Sequence, residues 1–137
     1  MFRYRRKAQY HETDQMGVIH HANYIKWMEE ARIAFLESLG YAYADIEREG
    51  IGSAVVGVSA QYRSPVRFGD EVTVDVRIQS YNGATLTFMY EIRQSADGTL
   101  CATGETRHCF LKDGRVVRIN RLLPGADEAL KNAMNDE

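Results

Sequence analysis

Cysteine is scarce in this chain, and positive charge has no excess. Cys101 and Cys109 are the only cysteines in 137 residues. That is too few for the disulfide framework of a small secreted domain, so reduced thiols that pack in the interior and a cytoplasmic setting are expected. The formal net charge is −2, which removes the basic footprint of a nucleic-acid partner. The one basic run, Arg3 to Lys7, alternates and reads as the solvent face of a strand. No apolar run is long enough to cross a bilayer, and the N-terminus carries no signal-peptide core. No Gly-x-Ser-x-Gly surrounds Ser59 or Ser64, which excludes a serine-hydrolase elbow. No phosphate-cradling Gly-rich loop appears either.

What is present fits one domain over residues 1–137, with no internal repeat and no linker. Residues 2–10 alternate, with Phe2, Tyr4, Ala8 and Tyr10 on one side, which predicts a half-buried strand. Residues 11–20 form a polar loop. From Ala22 to Leu39 the period becomes helical: Ile25, Met28, Ala31, Phe35 and Leu39 make an apolar stripe that Tyr24, Trp27 and Ala34 widen. So broad an arc predicts a helix wrapped by sheet, ending at Gly40. Lys26, Glu30, Ile33 and Glu37 fall on the polar side, where Glu30 is expected to be solvated.

The remainder reads as antiparallel strands. Ala54, Val56, Val58, Ala60 and Tyr62 alternate with their neighbours, as do Val72 to Ile78 and Leu86 to Ile92. Asn82-Gly83 and Asp97-Gly98 supply tight turns. Thr99 to Leu111 is a long strand, Val116 to Ile119 a short one, and residues 124–135 a polar, peripheral helix. The odd-numbered faces of the later strands are expected to be solvated. The fold class is therefore α+β, one long helix held in a curled antiparallel sheet. Such a small sheet leaves bare edges, which predicts at least a dimer.

Chemistry concentrates between Tyr10 and Tyr24. Asp14 stands on a turn closed by Gly17, just before a helix whose first N–H groups lack intrahelical acceptors. A carboxylate beside such donors suits acyl transfer, where backbone N–H groups hold an oxyanion. His11, Glu12, His20 and His21 crowd the same turn. Their spacing matches no metal-ligand pattern, so no metal and no cofactor are expected. His20 and His21, being adjacent, are expected to diverge. Glu29, bordering the apolar arc, is the alternative acid. Trp27, Tyr43, Val58 and Tyr62 are candidates for a pocket lining.

The pattern Tyr10, Thr13, Asp14, Gly17, Val18, His21, Tyr24 resembles the signature of the hotdog-fold acyl-CoA thioesterases, in their 4-hydroxybenzoyl-CoA thioesterase-like branch. Glu30-Ala31-Arg32 and the segment Tyr62 to Asp70 add to the likeness, which spans about residues 4 to 111. The resemblance implies a hotdog fold, a homodimer or homotetramer joined edge to edge, and active sites at the subunit interface. It implies Asp14 as nucleophile or general base, Gly17 for the close turn, and the His21 backbone N–H as oxyanion donor. It further implies an acyl-CoA substrate with a small to medium acyl or aroyl group, Tyr24 and Tyr62 near it, and Arg63 and Arg67 toward the CoA phosphates. A non-catalytic acyl-CoA-binding hotdog and a hotdog dehydratase are the alternatives.

Overall fold

A computed structural model describes residues 1–41 and 43–135, without the side chains of Tyr43 and Asp45. In chain order the elements are β1 (Phe2–Lys7), a 3-10 turn (Tyr10–Glu12), α1 (Ala22–Ser38), α2 (Tyr43–Arg48), β2 (Ile51–Tyr62), β3 (Glu71–Tyr81), β4 (Thr85–Gln94), β5 (Leu100–Lys112), β6 (Arg115–Val116), α3 (Ile119–Leu122) and α4 (Pro124–Asn135). The strands form one antiparallel sheet in the order β1-β3-β4-β5-β2, with β6 on β5. The sheet curls around α1. Both glycine turns stand where the sequence places them, joining β3 to β4 and β4 to β5.

Even-numbered residues of the central strands face α1. Val72, Val74, Val76 and Ile78 on β3 and Leu86, Phe88, Tyr90 and Ile92 on β4 are buried against Tyr24, Trp27, Met28, Ala31 and Phe35. The helix comes close to the sheet because Gly104 has no side chain. A Cβ there would stand 2.2 Å from Met28 Cε and 2.6 Å from its Sδ. Burial of large apolar side chains on this scale, each worth roughly 1.5–3 kcal/mol, holds helix and sheet together.

Several expectations change. β1 stops at Lys7, and Tyr10 is 75% exposed, because the chain leaves the sheet and coils into the 3-10 turn. Arg6 belongs to the half-buried side of β1 rather than to a solvent face. Ile25 is exposed on α1. On β3, Thr73 and Asp75 are buried despite their odd parity, and Arg3 covers Asp75 with a two-point ion pair at 2.7 and 3.0 Å. α2 was not legible in the sequence, and Ile119 opens α3 instead of ending a strand. α4 is not peripheral: Ala126, Asp127 and Leu130 are buried, and the Tyr81 hydroxyl donates to Asp127, anchoring α4 on β3.

The largest departure is on β2. A bulge between Val55 and Gly57 shifts its register on β5. Because side chains alternate with period two, one extra residue exchanges the faces. Val58, Ala60 and Tyr62 pair with Thr106, Gly104 and Ala102, but Ser53 and Val55 pair with Phe110 and His108. The inward set is therefore odd before the bulge and even after it. Val56, expected to share a face with Val58, is left 59% exposed. The far edge of β2 pairs with no strand among the described residues.

Candidate active site

The loop between the 3-10 turn and α1 is built by its own backbone. Thr13 bridges Ile19, and Val18 bridges Arg67 across the loop. The Asp14 N–H donates to the Val18 carbonyl at 2.9 Å, and the Gly17 N–H to the Asp14 carbonyl at 3.0 Å. Gly17 sits at φ +79°, a conformation glycine adopts without the Cβ penalty. The Met16 N–H donates to Asp14 Oδ1 at 2.8 Å. That fixes the carboxylate and leaves Oδ2 without a protein partner among the described residues.

α1 begins directly beyond. Of its first donors, the Ala22 N–H meets His20 Nδ1 at 3.2 Å. Those of Asn23 and Tyr24 turn back to the carbonyls of His20 and His21 at 2.9 and 3.3 Å. The His21 N–H is left over, with no acceptor among the described residues. The His20 and His21 rings do not diverge: they stack, with centroids 4.2 Å apart, because the His20 ring folds over the helix start to accept from Ala22. The Tyr62 hydroxyl donates to the His21 carbonyl at 3.0 Å, and its ring meets that of Tyr24 edge-on at 5.1 Å. Burial pushes the Tyr24 hydroxyl pKa up to about 12.

Asp14, His21, Tyr24, Tyr62 and Arg63 together line one open cleft of about 290 Å³, with Val18, Ile19, Ser64 and Pro65. Gly17 shapes its loop without lining it. Arg67 lies outside the lining, its N–H bonded to Asp70 Oδ2 at 2.9 Å and its side chain exposed. Val58 stands on the bare edge of β2, 45% exposed. Trp27 is fully buried in the core, and the side chain of Tyr43 lies outside the described residues.

Glu12, taken above only as one of a crowd, proves to be what holds this loop. Its carboxylate is buried and accepts from Trp27 Nε1 at 2.9 Å, the Gln9 N–H at 2.9 Å and Arg6 Nη1 at 2.6 Å. Arg6 in turn binds Glu30, which also accepts from the Tyr4 hydroxyl, so Glu30 is engaged rather than solvated. Burial by itself would raise the Glu12 pKa, but the bonds from Trp27, Gln9 and Arg6 outweigh it and hold the pKa low. The Glu12 backbone carbonyl accepts from the His20 N–H and from Asn23 Nδ2. The network thus clamps β1, the loop and α1 together. Two signals pointed to it: Arg6 shares parity with Phe2 and Tyr4, and Glu12 follows Gln9 by three residues.

A second cavity, about 260 Å³, lies between the second half of α1, α2, α4 and the sheet. Its walls are mainly Ile33, Leu36, Leu86, Phe88, Phe110 and Leu130, with Ser53 and Val55 of β2 at one side. One wall is polar. Arg32 Nη1 donates to the Tyr90 hydroxyl at 3.2 Å, Tyr90 meets Thr106 Oγ1 at 2.6 Å, and Thr106 meets His108 Nε2 at 2.8 Å. Burial first, and the Arg32 charge second, lower the His108 pKa to about 4. Between its unfolded value near 6.5 and that folded value, the unfolded chain binds the extra proton. Stability from this group is therefore full above pH 6.5 and lost as pH falls toward 4. Thermal melts across that range should show the loss, and His108→Gln should flatten it; an unchanged slope would contradict the burial argument.

No group of three or more His, Cys, Asp or Glu residues able to hold a metal converges among the described residues. No helix of the described residues is long and apolar enough to cross a membrane.

Comparison with known proteins agrees with the architecture. Residues 8–132 match the thioesterase-like superfamily. The candidate acyl-CoA thioesterase YneP of Bacillus subtilis is 34% identical over 129 residues, 93% of each chain. The acyl-CoA thioester hydrolase YbgC of Escherichia coli is 29% identical, over 77% of this chain and 78% of its own. Among solved structures, the DHNA-CoA thioesterase of Staphylococcus aureus superposes with a TM-score of 0.92 at 33% identity, covering 98% of this chain and 93% of that one. The sheet curled around α1 is the hotdog fold.

Proposed function

Because the chain belongs to the thioesterase-like superfamily, we propose that it hydrolyses acyl-CoA thioesters, with Asp14 as the reacting carboxylate. The observation that carries this reading is the cleft itself: it is lined both by Asp14, whose Oδ2 has no partner among the described residues, and by His21, whose N–H at the start of a long helix has none among them either. The thioester carbonyl accepts from the His21 N–H, and the helix N-terminus stabilises the negative charge that develops on its oxygen. Asp14 either attacks the carbonyl carbon, giving a mixed anhydride that water then opens, or takes a proton from the attacking water. Both routes release a thiol of pKa about 8.5, a leaving group that needs no strong general acid. One carboxylate is therefore enough. Arg63 at the cleft and Arg67 beyond it face the CoA phosphates.

Thiol release from a panel of acyl-CoAs tests the reading. Release from at least one member supports it. No release from any, with tight binding of a CoA ester, favours a non-catalytic binder.

The active form in this proposal is a dimer joined along β2. That edge carries Val55, Val56, Val58 and Tyr62, each between 45% and 59% exposed, and an unpaired apolar edge strand recruits a second one. Val58→Asp would place a charge within the apolar edge that each subunit brings to the interface. It should yield a folded monomer by light scattering and depress turnover. A dimer of unchanged size would move the interface elsewhere.

A further inference from the structure

A helix opens with N–H groups that have no acceptor within the helix itself. At the start of α1 they are claimed one by one. The Ala22 N–H goes to His20 Nδ1, the Asn23 N–H to the His20 carbonyl and the Tyr24 N–H to the His21 carbonyl. One residue before His21, the His20 N–H donates to the Glu12 carbonyl at 2.9 Å. Between His20 and Tyr24, His21 alone keeps an N–H with no acceptor among the described residues.

One side chain ties this division of donors to the loop. Side chains on a helix lean toward its N-terminus, and from the second position of α1 the short amide of Asn23 reaches back past the helix start. Its Nδ2 donates to the Glu12 carbonyl at 2.8 Å. A carbonyl oxygen has two lone pairs, and at Glu12 the His20 N–H and the Asn23 amide take one each. The result is a closed ring of bonds: Glu12 carbonyl to His20 N–H, His20 carbonyl to Asn23 N–H, and the Asn23 amide back to Glu12. The His20–His21 peptide is part of that ring. Because a peptide unit is planar, holding its carbonyl fixes the direction of the N–H at its other end, which is that of His21.

The residue type fits such a task better than it fits the helix. Asparagine is among the weaker helix formers, and an acid would suit the positive end of the helix dipole better. The first turn of α1 nevertheless carries no acid. An acid at this position would lose the donor to Glu12 and would set a negative charge against the one that develops on the substrate oxygen.

We propose that Asn23 is a positioning residue of the thioesterase site: its amide, tied to the Glu12 carbonyl, holds the His20–His21 peptide so that the His21 N–H is the donor left for the thioester oxygen. The inference deepens the thioesterase reading and rests on it. Asn23 does not line the cleft, so it acts through His21 rather than on the substrate.

Kinetics and a carbonyl spectrum together test this. Removing an oxyanion donor altogether costs about 10²–10³ in kcat. Asn23→Ala leaves the donor in place but loosens its aim, so kcat on the best acyl-CoA should fall by about tenfold, with KM changed by about threefold or less. Asn23→Asp keeps the side-chain shape and adds a charge that the helix start favours. It should melt no lower than Asn23→Ala yet fail to restore kcat, whereas a merely helix-stabilising Asn23 would be replaced by it. The spectroscopic readout uses an acyl-CoA labelled with carbon-13 at the thioester carbonyl, bound to Asp14→Asn protein so that turnover is slow. Its carbonyl stretch in the infrared should lie below the value in water, and adding Asn23→Ala should move it back toward that value. An Asn23→Ala enzyme with kcat within about twofold of the parent, or one with lowered kcat and an unmoved carbonyl stretch, would overturn the assignment and leave the thioesterase reading standing. Absence of thiol release by the parent protein from any acyl-CoA would instead overturn the reading on which it rests.

Discussion

Asp14→Asn is expected to lower kcat on the best acyl-CoA by on the order of 10²-fold or more, the usual scale for a lost acid–base group. The substitution isolates chemistry from structure. The asparagine Oδ1 can still accept from the Met16 N–H, and the backbone bonds that close the loop are untouched. Stability should stay within about 0.5 kcal/mol of the parent, as for most substitutions outside the core. Binding of a non-hydrolysable acyl-CoA should persist or tighten, because a negative charge beside an anionic ligand is removed. His21→Ala should cost less, since alanine retains the backbone N–H that the mechanism uses. A folded Asp14→Asn protein with near-parental turnover would make Asp14 a turn-former. The acid would then be Glu29, because Glu30 is committed to Tyr4 and Arg6.

The long helix and the central strands were readable because one face of each is buried, and burial writes a period into the sequence. The two glycine turns were readable for a similar reason, since their residue types answer a local backbone demand. What the sequence hid depends on relations between distant residues. The β2 bulge inserts a single residue, and nothing local in Val55-Val56-Gly57 says which face each takes. The burial of Glu12 is set by Arg6 and Trp27, six and fifteen positions away. α4 looked polar because its buried side is narrow, only Ala126, Asp127 and Leu130. The cavity it helps to close was invisible for the same reason. In the cleft, Asp14 and His21 could be placed from the loop alone, whereas the approach of Tyr62 to the His21 carbonyl required the β2–β5 register.

Glu12→Ala should be the most destabilising change in the loop that carries Asp14. It removes three hydrogen bonds to a buried carboxylate at once. The Trp27 indole N–H is left unpaired in the core, and Arg6, its side chain only 16% exposed, loses one of its two carboxylates. Breaking a fully buried ion pair typically costs 3–5 kcal/mol, but Glu30 still neutralises Arg6, so a loss of about 2–4 kcal/mol is expected. In a domain of this size that corresponds to a fall in Tm of about 10 °C. Acid should expose the same interaction in the parent protein. The Glu12 pKa is lowered in the fold, so its contribution is complete above the unfolded carboxyl range and is lost as pH falls through the lower folded value. The Tm difference between parent and Glu12→Ala should therefore be largest near neutrality and shrink below about pH 4. Turnover should fall together with stability, because the Glu12 carbonyl is also lost as a fixed acceptor for His20 and Asn23 once the turn loosens. A variant that melts within about 1 °C of the parent at pH 7 would show that Arg6 and Trp27 find other partners, and that the loop holding Asp14 stands without this clamp.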